Sequence, residues 1–156
     1  MAITSAICNS FKQEILEAEH NFTASTGNTF NLALYDSDAT LNKSTTVYTT
    51  SEELATTGGY TAKGNALTSV TPVLDSDTAI CDFADTSWTS ASFTARGCLI
   101  FNDSHSSDAA VCAIDFGGDK TVTSGTFTVE FPAAAASTAI IQIALGVLPY
   151  GCHMGH

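Results

Sequence analysis

Apolar and polar positions along the chain follow two periods. From Ile3 to Phe22 the apolar residues Ile3, Ile7, Phe11, Ile15, Ala18 and Phe22 recur at steps of three or four. That spacing gathers them on one face of a helix, with Lys12, Gln13, Glu14 and Glu17 on the other faces. Thr4 or Ser5 offers a capping hydroxyl, so the pattern predicts a helix over residues 3–20. Residues 20–28, rich in Asn, Thr and Ser and containing Gly27, read as its exit loop.

After Gly27 the period falls to two. Phe30, Leu32 and Leu34 alternate with Asn31, Ala33 and Tyr35, which predicts a strand over 30–35. Further strands are expected at 45–50, 66–74 (interrupted by Pro72), 78–84, 87–94, 97–102, 109–116, 125–131 and 138–145. A single helical turn capped by Ser51 is expected at 51–54. Gly58, Gly59 and Gly64 surround Tyr60 and predict a loop or hairpin there. Strands this short, separated by turns of Asp, Ser, Gly and Asn, define the expected fold class. It is mainly β: an antiparallel β-sandwich or barrel-like domain of about eight strands with one N-terminal α-helix. Residues 1–145 are expected to form that single domain, and residues 146–156 an extended C-terminal tail.

Composition supports this reading and narrows the function. The 156 residues are 44% hydrophobic and only 13% charged, which suits a packed core and not a disordered chain. Polarity comes mainly from Ser and Thr, residues of turns and half-exposed strands. Sixteen acidic residues against five basic ones give a formal charge of -11. Lys12, Lys43, Lys63, Arg96 and Lys120 are scattered singly, so nucleic acid and anionic membrane are not expected partners. No basic segment leads into a long apolar run, and the stretch near 138–148 is too short to span a bilayer. A soluble product made in a cytoplasm follows as the expectation.

Candidate chemistry is sparse. Cys8, Cys81, Cys98, Cys112 and Cys152 lack the paired spacing of a zinc site. Cys81, Cys98 and Cys112 fall in apolar strands, where a thiol acts as a small hydrophobe. Cys152 lies in the tail and is the candidate intermolecular thiol. His20 is placed at the end of the helix, where the macrodipole favours a cation, and His105 in a Ser-rich loop. Asp36 with Asp38, Asp75 with Asp77, and Asp115 with Asp119 offer oxygens, but none follows the calcium-loop pattern and turns favour the same residues. No nucleophile elbow, phosphate loop or zinc-protease motif is present. Catalytic, cofactor-binding and metal-binding residues are therefore all expected to be none.

Contact surfaces are the remaining candidates. Trp88, Phe93, Phe101, Phe127 and Phe131 occupy strand positions and are expected in the core. Tyr60 and Tyr150 stand beside glycines and are candidate contact residues. Ile3, Ile7, Phe11 and Ile15 form an apolar helix face that packs either on its own domain or on a second copy. Val147, Leu148, Pro149 and Tyr150 form a candidate arm for wrapping a neighbour.

An ordered series of segments carries a family resemblance. The stretch from Ile3 to Glu14 is followed by His20-Asn21-Phe22, by Thr29-Phe30-Asn31-Leu32-Ala33-Leu34-Tyr35 and by Ala39-Thr40-Leu41. Then come Gly58-Gly59-Tyr60-Thr61-Ala62, Thr86-Ser87-Trp88-Thr89 and Phe93-Thr94-Ala95-Arg96-Gly97. Asp115-Phe116-Gly117-Gly118-Asp119-Lys120 and Gly125-Thr126-Phe127-Thr128-Val129 complete the series. Over residues 2–145 the chain resembles small virion structural proteins of tailed bacteriophages. The resemblance implies a particle protein without chemical activity. Its first expectation is a capsid decoration or cement protein on the outer surface of the head. The implied partners are the major capsid protein and further copies of the chain itself, as a homo-oligomer with a trimer favoured. The alternative is a tail- or fibre-associated adhesin for host glycans; a glycan-active enzyme is disfavoured by the missing catalytic pair.

Overall fold

The two-residue alternation that begins after Gly27 becomes two antiparallel sheets. A computed structural model of the chain describes residues 2–144. Its strands are β1 (Ala6–Ile7), β2 (Phe30–Tyr35), β3 (Asn65–Ala66), β4 (Ser69–Asp75), β5 (Thr78–Phe83), β6 (Thr86–Asn102), β7 (Ala109–Val129) and β8 (Ile141–Ile143), with one helix, α1 (Asn9–Leu16). The larger sheet has the order β1-β7-β6-β2-β3 and the smaller one β4-β5-β8. Neither sheet closes on itself. The mainly β, antiparallel fold with about eight strands and one helix near the N-terminus is thus the observed one.

Two strands dominate. β6 runs for 17 residues and β7 for 21, paired from Thr86↔Val129 to Asn102↔Ala109. Their turn-proximal half, Cys98 to Asn102 against Ala109 to Ala113, is buried on both faces and forms the centre of the core. There β2 pairs along the whole of β6 from Gly97 to Asn102, and β1 covers β7 at Cys112 and Ala113. The smaller sheet joins the same core through Cys81, Phe83 and Ile141. Phe22 stacks on Phe30 at 4.2 Å, and both contact Phe83.

Several elements differ from the sequence expectation. The helix spans Asn9–Leu16 and not 3–20, because the chain before it goes to sheet pairing. Ile3 bridges Leu41, while Ala6 and Ile7 pair with Ala113 and Cys112. Ser5 does not cap the helix; its hydroxyl accepts the Asp115 N–H at 2.9 Å. Ala18 in the left-handed region, at φ 61°, ends the helical run. Segment 45–50 makes only an isolated bridge, Val47↔Ala109, and 51–54 is a turn without helix. The expected strand 66–74 splits between the two sheets as β3 and β4. Pro72 is tolerated because β4 is an edge strand whose register shifts between Val70 and Val73. Strands expected at 87–94 and 97–102 are one strand, as are those at 109–116 and 125–131. The last strand is shortened to Ile141–Ile143. No helix among the described residues is long and apolar enough to cross a membrane.

One core position works against stability. Asp82 in β5 is 1% exposed, and its Oδ2 has no hydrogen-bond partner. Burial raises its carboxyl above the ordinary value and the Asp85 charge adds to this, while the Phe83 and Ile140 amides oppose it. A raised folded-state pKa favours folding below the ordinary carboxylate value and loses that contribution as pH rises through the raised one. Holding this carboxyl in the core is therefore a cost that grows as pH rises. Asp82→Asn is expected to stabilise the fold by about 1 kcal/mol at pH 7. Urea titrations should show the advantage shrinking as pH falls through the raised pKa; a variant less stable than wild type at pH 7 would contradict this.

Candidate functional site

Tyr60, expected at the surface, is 2% exposed. The glycines around it are the cause of its burial. Gly58 and Gly64 sit at φ 58° and 65°, and a Cβ at either would overlap the carbonyl oxygen of Ser92 or Leu32. The loop can therefore press its backbone against β6 and β2 and drive Tyr60 inward beside Trp88 and Phe93, at centroid distances of 6.1 Å each.

Glu53 organises the polar side of this loop. Its Oε1 accepts the Tyr60 hydroxyl at 2.7 Å and the Lys63 N–H at 2.6 Å, and its Oε2 accepts the Tyr48 hydroxyl at 2.5 Å. Tyr60 in turn accepts the Leu34 N–H at 3.0 Å. Burial pushes the Tyr60 and Tyr48 hydroxyls up, and the hydrogen bond to the Glu53 carboxylate pushes them further. Lys63 ties the same loop to the β6–β7 turn through Asp103 at 2.8 Å and Asp108 at 2.9 Å. The cluster is a clamp that holds the loop against β2 and the β6–β7 turn.

The histidines are placed by similar needs. His20 lies four residues past the end of α1, so the helix macrodipole does not explain it. Its ring is fully buried, 2.9 Å from Glu14 Oε2 and 3.1 Å from Asn102 Nδ2. His105 stays in the β6–β7 turn with Ser107 and Glu19. Cys8, Cys81, Cys98 and Cys112 are buried free thiols. Burial pushes Cys8 up to about 11 and Cys81 and Cys112 up to about 12, so these sulfurs stay protonated at neutral pH. Of the acidic pairs, Asp36 and Asp38 converge with Glu52. The Asp36 carboxylate there accepts the Asp38 N–H at 2.9 Å, as Asx turns do.

Two apolar grooves remain open. The larger, about 530 Å³, runs beside β7 and is floored by Ile114, Phe116, Phe127, Val129, Phe131 and Ile140. Phe127 links it inward to Phe93 at 5.2 Å and Trp88 at 6.1 Å, so its floor is continuous with the aromatic core. Of the expected core aromatics, Trp88 and Phe101 are buried, while Phe93, Phe127 and Phe131 are half-buried. The second groove, about 400 Å³, lies between α1 and β8. It brings together three of the four expected helix-face residues: Ile7 and Ile15, half-buried, and Phe11, buried. Ile3 is instead buried in the domain at 5% exposure. Leu16 and Ile143, at 86% and 55%, are the groove's exposed rim. Val147, Leu148, Pro149, Tyr150 and Cys152 lie outside the described residues.

The β7 groove escapes sequence reading because its lining comes from four places, residues 114–116, 120, 127–132 and 140. Half-exposed Phe116, Phe127 and Phe131 are its only trace in the sequence. Comparison of the chain with protein-family models, with curated proteins and with solved structures finds no match.

Proposed function

We propose that this chain is a non-enzymatic virion structural protein, a capsid decoration or cement protein that binds the outer surface of a phage head. The observation that carries the binding half of this reading is the open apolar groove beside β7. A half-buried aromatic floor that lines an open groove and is contiguous with a core is a surface suited to burial against a partner. The placement on a phage particle rests on the ordered sequence resemblance, and the major capsid protein is the partner it implies. Stabilisation then comes from interface area repeated around the shell. The charge of -11 suits an outer position away from packaged DNA. Burial of Tyr60 removes one of the two tyrosines, with Tyr150, that a glycan adhesin would use.

Quantitative mass spectrometry of the purified parent particle tests the proposal. Copy numbers comparable with those of the major capsid protein are expected. A handful of copies per particle indicates a tail or fibre component, and absence from the particle overturns the reading altogether.

A further inference from the structure

The three most exposed large apolar side chains among the described residues, Leu16, Leu74 and Ile143, gather at one end of the molecule. Leu74, Ala79 and Ile143 are cross-strand neighbours in one row of the smaller sheet. Leu16 shares with Ile143 the walls of the groove between α1 and β8. Apolar surface gathered in this way marks a place where something packs.

The groove offers an occupant apolar contact and little else. Its two polar side chains are Lys12 and Gln142. Lys12 Nζ donates to Asn9 Oδ1 at 3.0 Å and Gln142 Nε2 to the Ala139 carbonyl at 2.9 Å, so both heads are engaged outside it. A charged or strongly polar ligand would find no partner here.

The chain itself supplies a segment of matching chemistry. The described residues end at Ala144, one residue past the groove wall Ile143. Residues 145–150 read Leu-Gly-Val-Leu-Pro-Tyr and carry no charge, on a chain of -11. Six extended residues reach about 20 Å. The eight residues of α1 are about 12 Å long, so the segment can span the groove.

We infer that residues 147–150 of the same molecule fold back into the groove between α1 and β8, with Val147, Leu148 and Tyr150 covering Leu16 and Ile143. Gly146 falls where the chain must reverse to run back along β8, and glycine admits the turn conformations that a reversal needs. A tethered segment meets its groove at an effective concentration near the millimolar range. A second copy must instead overcome the repulsion of two chains of -11. The segment is thus a strap on its own domain and not an arm on a neighbour. It leaves the β7 groove free for a capsid partner, so the inference does not rest on the proposed function.

Hydrogen exchange on the full chain is the test, read at the amides of Asn9–Leu16. A helix of eight residues holds only through its packing, so loss of the strap should register there. Leu16→Gln exchanges residues of similar helix preference and would change nothing at an uncovered surface. Under the strap it is expected to speed exchange about tenfold. V147D/L148D should do the same, and L16Q/V147D/L148D should be no faster than V147D/L148D, because both changes remove one contact. Wild-type protection should persist on dilution. A Leu16→Gln chain that exchanges like wild type, or a triple variant in which the two effects add, would overturn the inference. Protection lost on dilution would place the strap on a second copy and overturn it as well. If V147D/L148D releases the chain from particles while α1 exchange is unchanged, the strap is refuted and the proposed function stands.

Discussion

Gly64→Ala is expected to cost about 4 kcal/mol, the largest effect of an added methyl at any glycine among the described residues. Two penalties combine. Alanine at φ 65° is held in the left-handed region, at about 1–2 kcal/mol. The new Cβ also overlaps the Leu32 carbonyl and lies 3.0 Å from Ala33 Cα, so backbone must move. What moves is the junction where β3 pairs with β2 through Asn31↔Ala66 and Leu32↔Asn65. Thermal unfolding should show a fall of about 8–16 °C, taking about 2–4 °C per kcal/mol for a chain of this size. Gly118→Ala is the control, since a Cβ there meets nothing within 4 Å. A Gly64→Ala chain as stable as that control would mean the loop does not sit against β2.

Glu53→Ala is expected to cost about 3 kcal/mol. Removal of the carboxylate strands two tyrosine hydroxyls and the Lys63 amide, and a donor deprived of its acceptor costs more than the bond contributed. Tyr60→Phe removes one of the three donors to Glu53 and the acceptor of the Leu34 N–H. It should cost about 1 kcal/mol, some of it from leaving the Leu34 N–H without its acceptor. Glu53→Gln keeps an acceptor oxygen and should fall between the two. Denaturant unfolding of the three variants checks this order. A Glu53→Ala loss below that of Tyr60→Phe would refute the clamp.

These residues also show where sequence reasoning reached and where it stopped. Period-two alternation placed Phe30–Tyr35 to the residue and identified Thr78–Phe83 to within one, because each strand is short and unbroken. It divided β6 and β7 into two strands each because bulges between Trp88 and Phe93 and between Ala95 and Gly97 interrupt the alternation without ending the pairing. The helix looked too long because Ile3 and Ile7 fit a helical spacing equally well. Their pairing with Leu41 and Cys112 is set by residues far along the chain. Tyr60 was misplaced for a related reason. Glycines signal loops, and loops are usually exposed. Here the same glycines let the backbone approach Leu32 and Ser92 closely enough to bury the ring between them. Of the candidate contact residues, Ile7, Phe11 and Ile15 do come together at one groove, whereas the β7 groove emerges only once the chain is folded.

The account turns on whether this chain coats a phage head, and a cryo-electron map of the parent particle measures that most directly. The predicted result is density for this fold repeated over the outer shell, with the groove of Phe116, Phe127 and Phe131 turned towards the major capsid protein. A fully resolved shell without it, or density for this chain confined to the tail, would contradict the account.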